Sequence, residues 1–434
     1  MTADRGAPPA SDRSRGRRAG PWQCGRLRRA LGGGVLAVAI GMTGLGLRVA
    51  SAGQEPAGPQ AISAASLEAA IDKLGDLDYA TRTGAARTVR RTDPAQAVPA
   101  LLRAVAGHRD GYVRYRALVL LTGFNDPRTR DAMRESLDSP NDRLRTVAYA
   151  FFEHHPDPAL VGPLLAALDK EQGEFVRPAL VRALASAARA FENGAARAEV
   201  AKVQQALVRD VTRGEDFFRS VVIEALGDYR AAYAFDAITA VAKLEGPLQD
   251  DAALALGKIG DKRALETLAG LQRTAPRAVQ PSIAAAICLL GTNCAVHERY
   301  IVETLEFADQ NQGFQNLLRS AASGLAALGV AGHPEALDAL FDVGIPARFE
   351  TTRAPVALAV GTIALRNTPL FLAVLERQPK LAEAVALVAD GFDMLEEDLD
   401  KERFFAVVRR TFWDSPEGAP TRALMQTLIG KLDF

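Results

Sequence analysis

Cys288 and Cys294 are the residues in this 434-residue chain whose type and spacing most directly imply chemistry. Cys288 ends an apolar helical stripe (Ile283, Ile287, Leu290), and Leu289 to Asn293 supply a turn. Five intervening residues can bring two α-carbons within the roughly 4.4–6.8 Å that a disulfide needs. The spacing predicts a Cys288–Cys294 bridge; the alternative is one buried thiol and one loop thiol. His154 and His155 precede Pro156 and Asp157. Consecutive helical residues diverge by about 100°, so the two rings do not converge on one ion. A helix C-terminus, where imidazole can meet free carbonyls, suits them better. His108, His297 and His333 read as loop or cap residues. The acidic run Asp390, Asp393, Glu396, Glu397, Asp398, Asp400 and Glu402 lacks the glycine of a calcium loop and reads as a solvated helix face. No nucleophile elbow, phosphate loop or paired metal-ligand motif occurs. The sequence therefore assigns no catalytic residue, no metal and no cofactor.

A series of cations is more suggestive. Arg114, Arg145, Arg177, Arg219, Arg319 and Arg353 recur near the starts of helices, with Gln249 and Gln280 at equivalent places. They either bind carbonyls and acids of neighbouring repeats or line a surface for an acidic partner. Aromatic residues cluster in the same half of the chain, from Tyr112 to Phe235, and most read as core. Phe152 and Phe217 each adjoin another large aromatic, which predicts that they are exposed. The partner-binding set is thus Arg114, Arg145, Arg177, Arg219, Phe152 and Phe217, on the concave ridge of a repeat array.

The elements that position these residues are amphipathic helix pairs, repeated about eleven times at intervals near thirty-one residues. Asp93-Pro94, Asp126-Pro127 and Asp157-Pro158 mark the period: an acid caps each helix, and proline is tolerated at the first helical position. Val98, Leu101, Leu102 and Val105 form one stripe; Val113, Ala117, Leu120 and Leu121 form the next. Such units cannot bury their apolar faces alone, so they stack. The segment Asp251-Ala-Ala-Leu-Ala-Leu-Gly-Lys-Ile-Gly-Asp261 resembles the short HEAT repeat, the type also found in phycobilin lyases. The resemblance implies an all-α, right-handed α-solenoid of about eleven hairpins over residues 63–434. It further implies first helices on the convex side and second helices on the concave side.

Residues 1–52 differ in kind. A basic region containing Arg17-Arg18 and Arg28-Arg29 precedes the apolar stretch Leu31 to Leu47 and the small-x-small site Ala50-Ser51-Ala52. This predicts a cleaved export signal, with an uncleaved anchor as the alternative. Arg28-Arg29-Ala30-Leu31 loosely resembles a twin-arginine address. Residues 53–62, with Pro56, Gly58 and Pro59, read as a flexible linker. The chain balances 52 basic against 52 acidic residues; nine Arg and two Asp lie in the leader, leaving 43 against 50 beyond it. That balance argues against a nucleic-acid partner. The expectation is an exported, periplasmic, monomeric and non-catalytic scaffold for another protein, free of the membrane once the signal is removed. The alternatives are a cofactor-attachment factor like the phycobilin lyases and a membrane-anchored envelope protein.

Overall fold

The computed structural model describes residues 59–194, 196–395 and 397–434. The chain divides at Ala52/Gly53. The leader and the first part of the linker lie outside the described residues, and every described element belongs to the second unit, Gly53–Phe434.

Twenty-two α-helices among the described residues pair into eleven hairpins, from Ala64–Asp72 with Tyr79–Arg90 to Asp398–Asp414 with Pro420–Leu432. The fold is an all-α solenoid. The expected capping is visible at each Asp-Pro step. Asp93 accepts from Ala95 N–H at 2.8 Å, Asp126 from Arg128 N–H at 2.9 Å and Asp157 from Ala159 N–H at 3.0 Å. Asp261 does the same for Arg263 N–H at 2.9 Å. At the expected linker's end, Gln60 and Ile62 are tied to the second hairpin: Gln60 N–H donates to Arg91 O at 2.8 Å and Ile62 N–H to Gln96 Oε1 at 3.1 Å.

The second helices stack directly on one another. Gly111–Leu121, Asp142–His154, Arg177–Ala190, Asp216–Asp228, Gln249–Ile259, Gln280–Leu289, Gln315–Ala331, Glu350–Arg366 and Leu381–Met394 form a continuous inner layer. Small residues permit the approach: a Cβ on Gly227 would stand 2.9 Å from Ala255 Cα. Gly257 faces Ala286, and Gly391 the Ala357 carbonyl, more closely still. One apolar cluster runs from Leu67 to Leu290 and a second from Leu254 to Phe434. Leu399 belongs to the first cluster although it lies more than a hundred residues beyond it.

That exception corrects the expected layering. The first helix of the last hairpin, Asp398–Asp414, does not lie outside. It rests against the inner helices Gly111–Leu121, Asp142–His154 and Glu350–Arg366. The acidic run is accordingly solvated only at its start: Asp393 is exposed, Glu396 lies outside the described residues, and Asp400 and Glu402 are only 5% and 1% exposed. Phe152 needs a second correction: it is 1% exposed. An inner helix meets protein on several sides, so adjacent aromatics can both be buried. Phe151 and Phe152 pack edge-to-face at 5.4 Å, with the Arg130 guanidinium over the Phe152 ring.

Candidate functional site

At four positions the arginine ladder bends back over the turn inside its hairpin, whereas Arg319 bonds Asn316 in its own helix. Arg114 Nε donates to Val105 O at 2.8 Å, Arg145 Nη1 to Ser139 O at 2.8 Å and Arg219 Nε to Val211 O at 3.0 Å. Arg353 Nη1 reaches Gly344 O at 3.3 Å. Where glutamine replaces arginine the contact persists: Gln249 Nε2 donates to Ala242 O at 3.1 Å and Gln280 Nε2 to Ala275 O at 2.9 Å. Each acceptor is a carbonyl at or just past the end of the first helix, where no intrahelical donor remains. Arg145 also holds Glu171 through two bonds of 2.8 and 3.0 Å, and Arg177 lies 3.7 Å above the Phe218 ring. Arg114, Arg145, Arg177 and Arg219, the four expected at an interface, are thus committed to contacts within the fold. Charge is not required at that position; a donor is.

A different polar column runs down the inner layer. Arg116, Glu153, Arg182, Asp228 and Lys258 alternate in sign along successive second helices. Arg182 binds Glu153 at 2.9 Å and Asp228 at 3.0 Å, and Lys258 binds Asp228 at 2.7 Å. The helix Asp398–Asp414, with Glu397 just before it, adds its acids to this column. Asp398 meets Arg116 at 2.9 Å and also the Tyr115 hydroxyl. His154 Nε2 lies 2.8 Å from Asp400 Oδ1, and Glu402 takes Arg90 at 2.7 Å. Arg366 joins Glu397 at 2.9 Å. The inner surface that the sequence offers to a partner is therefore covered, at Gly111–Leu121 and Asp142–His154, by the chain's own helix Asp398–Asp414.

Burial alone would raise these carboxyls, and the facing cations decide where each settles. For Asp398, Arg116 and Lys401 outweigh burial and hold the group at about 2. For Asp228, Lys258 and Arg182 do the same, again to about 2. Asp400 is also lowered, against its burial, by His154 and Arg366. Asp251 behaves oppositely: burial, reinforced by Asp250 and Glu224, lifts it to about 6 despite the bond from Ser220. The signs give a pH window. Stability from the depressed groups is present above about pH 4 and lost as pH falls toward 2. Stability from Asp251 is present below about pH 4 and lost as pH rises through 6, a contribution of at most about 3 kcal/mol. Melting temperature should peak between about pH 4 and 6, and Asp251→Asn should flatten its alkaline side. A wild-type melting temperature that rises steadily from acid to pH 8 would count against this balance.

At the seam of the two apolar clusters, Cys288 and Cys294 stand with α-carbons 4.1 Å apart and their sulfurs paired. Gly291 (φ 75°) and Asn293 (φ 46°) make the turn between them in left-handed conformations. His333 Nδ1 lies 3.8 Å from Cys294 Sγ and 3.9 Å from Glu298 Oε2. The other Glu298 oxygen, Oε1, is buried without a hydrogen-bond partner. Sequence reading left His333 among the caps and missed Glu298. The signal was Cys294 and Glu298 at helical i, i+4 spacing, which puts both on one face.

Sequence reading found Phe217 but missed the rest of a row of exposed aromatics at the starts of second helices. Phe175 is 71% and Phe217 55% exposed, and Phe314 and Phe349 occupy similar places before Gln315–Ala331 and Glu350–Arg366. Of the two aromatics expected outside, Phe217 is there and Phe152 is not. The groove beside Phe314, lined by Arg277 and Leu317, has a volume of about 250 Å³, below the usual 300–1,000 Å³ range of small-molecule pockets. Among the described residues no single helix is long and apolar enough to cross a membrane.

The profile of HEAT repeats matches residues 64–153 and 106–185. The stretch it covers, residues 64–185, is built of HEAT repeats. Parts of the chain are similar to solved structures of low identity. The complex of CpcE and CpcF of phycocyanin lyase from Nostoc sp. PCC7120 is 20% identical, covering 62% of this chain and 97% of that one, with a TM-score of 0.38. YibA of E. coli is 17% identical over 53% of this chain and 82% of that one, TM-score 0.38. Kap95p, solved with RanGDP, is 13% identical over 85% and 63%, TM-score 0.38. No characterised protein matches the sequence significantly.

Proposed function

We propose that this protein is an exported, monomeric, non-catalytic scaffold that holds another protein along the rim formed by its hairpin turns. One observation carries the reading: Phe175 and Phe217 stand exposed on consecutive hairpins, while the inner helices Gly111–Leu121 and Asp142–His154 of the preceding hairpins are covered by Asp398–Asp414. Exposed aromatics beside arginines are the usual anchors of protein interfaces. Export rests on the basic and apolar leader with its small-x-small site, and makes the Cys288–Cys294 bridge the oxidised state of the mature protein.

The test is immunoprecipitation from the envelope fraction of the native host. Wild-type protein should begin near Gly53 and bring down one protein in stoichiometric amount. Phe175→Ser with Phe217→Ser should reduce that recovery at least about tenfold, each anchor being worth roughly 1–2 kcal/mol, with the melting temperature unchanged. Intact Met1, or equal recovery by the double variant, would reject the export or the rim respectively.

A further inference from the structure

We propose that Cys288, Cys294, Glu298 and His333 form a tetrahedral site for a soft divalent cation, zinc in its chemistry, when the cysteine pair is reduced. The three groups Cys288, Cys294 and His333 offer ligand atoms that all lie within 4.8 Å of one another. Zinc holds sulfur at about 2.3 Å and nitrogen or oxygen at about 2.0–2.2 Å, so neighbouring ligand atoms of a tetrahedron stand roughly 3.3–3.8 Å apart. The Cys294–His333 separation, 3.8 Å, falls at the edge of that spacing, while the sulfurs must part on reduction and Glu298, 3.9 Å from His333, must close in slightly to become the fourth ligand. Two thiolates, an imidazole and a carboxylate are a fitting donor set.

The unpartnered Glu298 oxygen is the second, independent observation. A buried carboxylate oxygen without a donor is costly, and its neighbour Oε2 is already aimed at His333. A bound cation would satisfy it. The elements are also well chosen for rigidity: Cys288 ends the inner helix Gln280–Leu289, Cys294 and Glu298 share one face of Cys294–Gln310, and His333 caps Pro334–Gly344. The site therefore ties the seventh, eighth and ninth hairpins together, at the seam between the two apolar clusters.

Bridge and metal exclude each other. A dithiol reductant supplies two electrons and two protons, the S–S bond breaks, two thiols form, and the reductant leaves as its own disulfide. The divalent cation then binds as both thiol protons pass to solvent. A chain held in a reducing compartment before export would carry the metal; after export the bridge would replace it.

The test uses the full chain with Cys24→Ser, so that only this pair contributes thiols. After anaerobic reduction with dithiothreitol and removal of reductant, Co²⁺ is titrated as an optical stand-in for zinc. One equivalent should bind, with the sulfur-to-cobalt charge-transfer bands and visible absorption of a tetrahedral two-thiolate site. Zinc should displace it, and the oxidised protein should bind none. Glu298→Gln and His333→Asn should each weaken binding by at least about 10–100-fold, the loss that follows removal of even a supporting outer partner. Circular dichroism confirms that each variant is folded. A folded, reduced protein without charge-transfer bands overturns the site, and so does unchanged affinity in both variants. A pair that resists reduction in the native state overturns it too, since the sulfurs are then never available.

Discussion

Replacing Glu402 by alanine should destabilise this protein by about 3–5 kcal/mol, the loss expected when one partner of a buried ion pair is removed. Glu402 receives Arg90 at 2.7 Å and Arg409 at 3.4 Å, with side chains only 5% and 6% exposed. Without the carboxylate two guanidinium groups share a site closed to water. Gly123 makes room for it, because a Cβ there would stand 2.6 Å from Glu402 Oε1. The loss should also have a location. In a Trp22→Phe background Trp413, on the same helix, is the sole indole. Its fluorescence in urea should coincide with the helical signal in the parent chain and fall at lower urea in Glu402→Ala. Replacing the pair with apolar side chains, Arg90→Met with Glu402→Leu, should recover much of the loss. Equal midpoints for parent and Glu402→Ala would refute the contact between the two ends.

The second large effect is Leu254→Ala, at about 2–5 kcal/mol for truncating a buried leucine. Leu254 is 8% exposed and lies where the two apolar clusters meet. In an open array of repeats such damage stays near the substituted hairpin. Here Leu399, Asp398 and Glu402 join the last hairpin to the first three, so unfolding of the middle removes support from both ends. Trp413 fluorescence should therefore shift to lower urea together with the helical signal, although the substitution is far away in the chain. A helical signal that moves while Trp413 stays put would show that the hairpins behave independently.

Period and capping were legible because each depends on a few neighbouring residues. Asp93, Asp126 and Asp157 bond two residues onward, and Ala-rich second helices announce their close stacking. Those local rules yielded eleven hairpins and the all-α solenoid. The covering of the inner layer was not legible in the same way. Asp398, Asp400 and Glu402 look like an exposed acidic face until Arg116, His154 and Arg90, some 250 to 310 residues earlier, are set against them. The clue was the alternation of Arg116, Glu153, Arg182, Asp228 and Lys258, one charge per second helix. Phe152 was misplaced for a related reason: an inner helix is enclosed on more sides than a two-faced amphipathic helix. Arg114 and Arg219 show the converse, since the glutamines that replace them at 249 and 280 already imply donation to a carbonyl.

The helix Asp398–Asp414 lies against the inner layer, and hydrogen exchange of the wild-type protein reads that contact directly. Amides of Asp398–Asp414 should exchange as slowly as those of Gly111–Leu121 and Asp142–His154, because one opening exposes all three. Fast exchange along Asp398–Asp414, with Gly111–Leu121 and Asp142–His154 still protected, would contradict it.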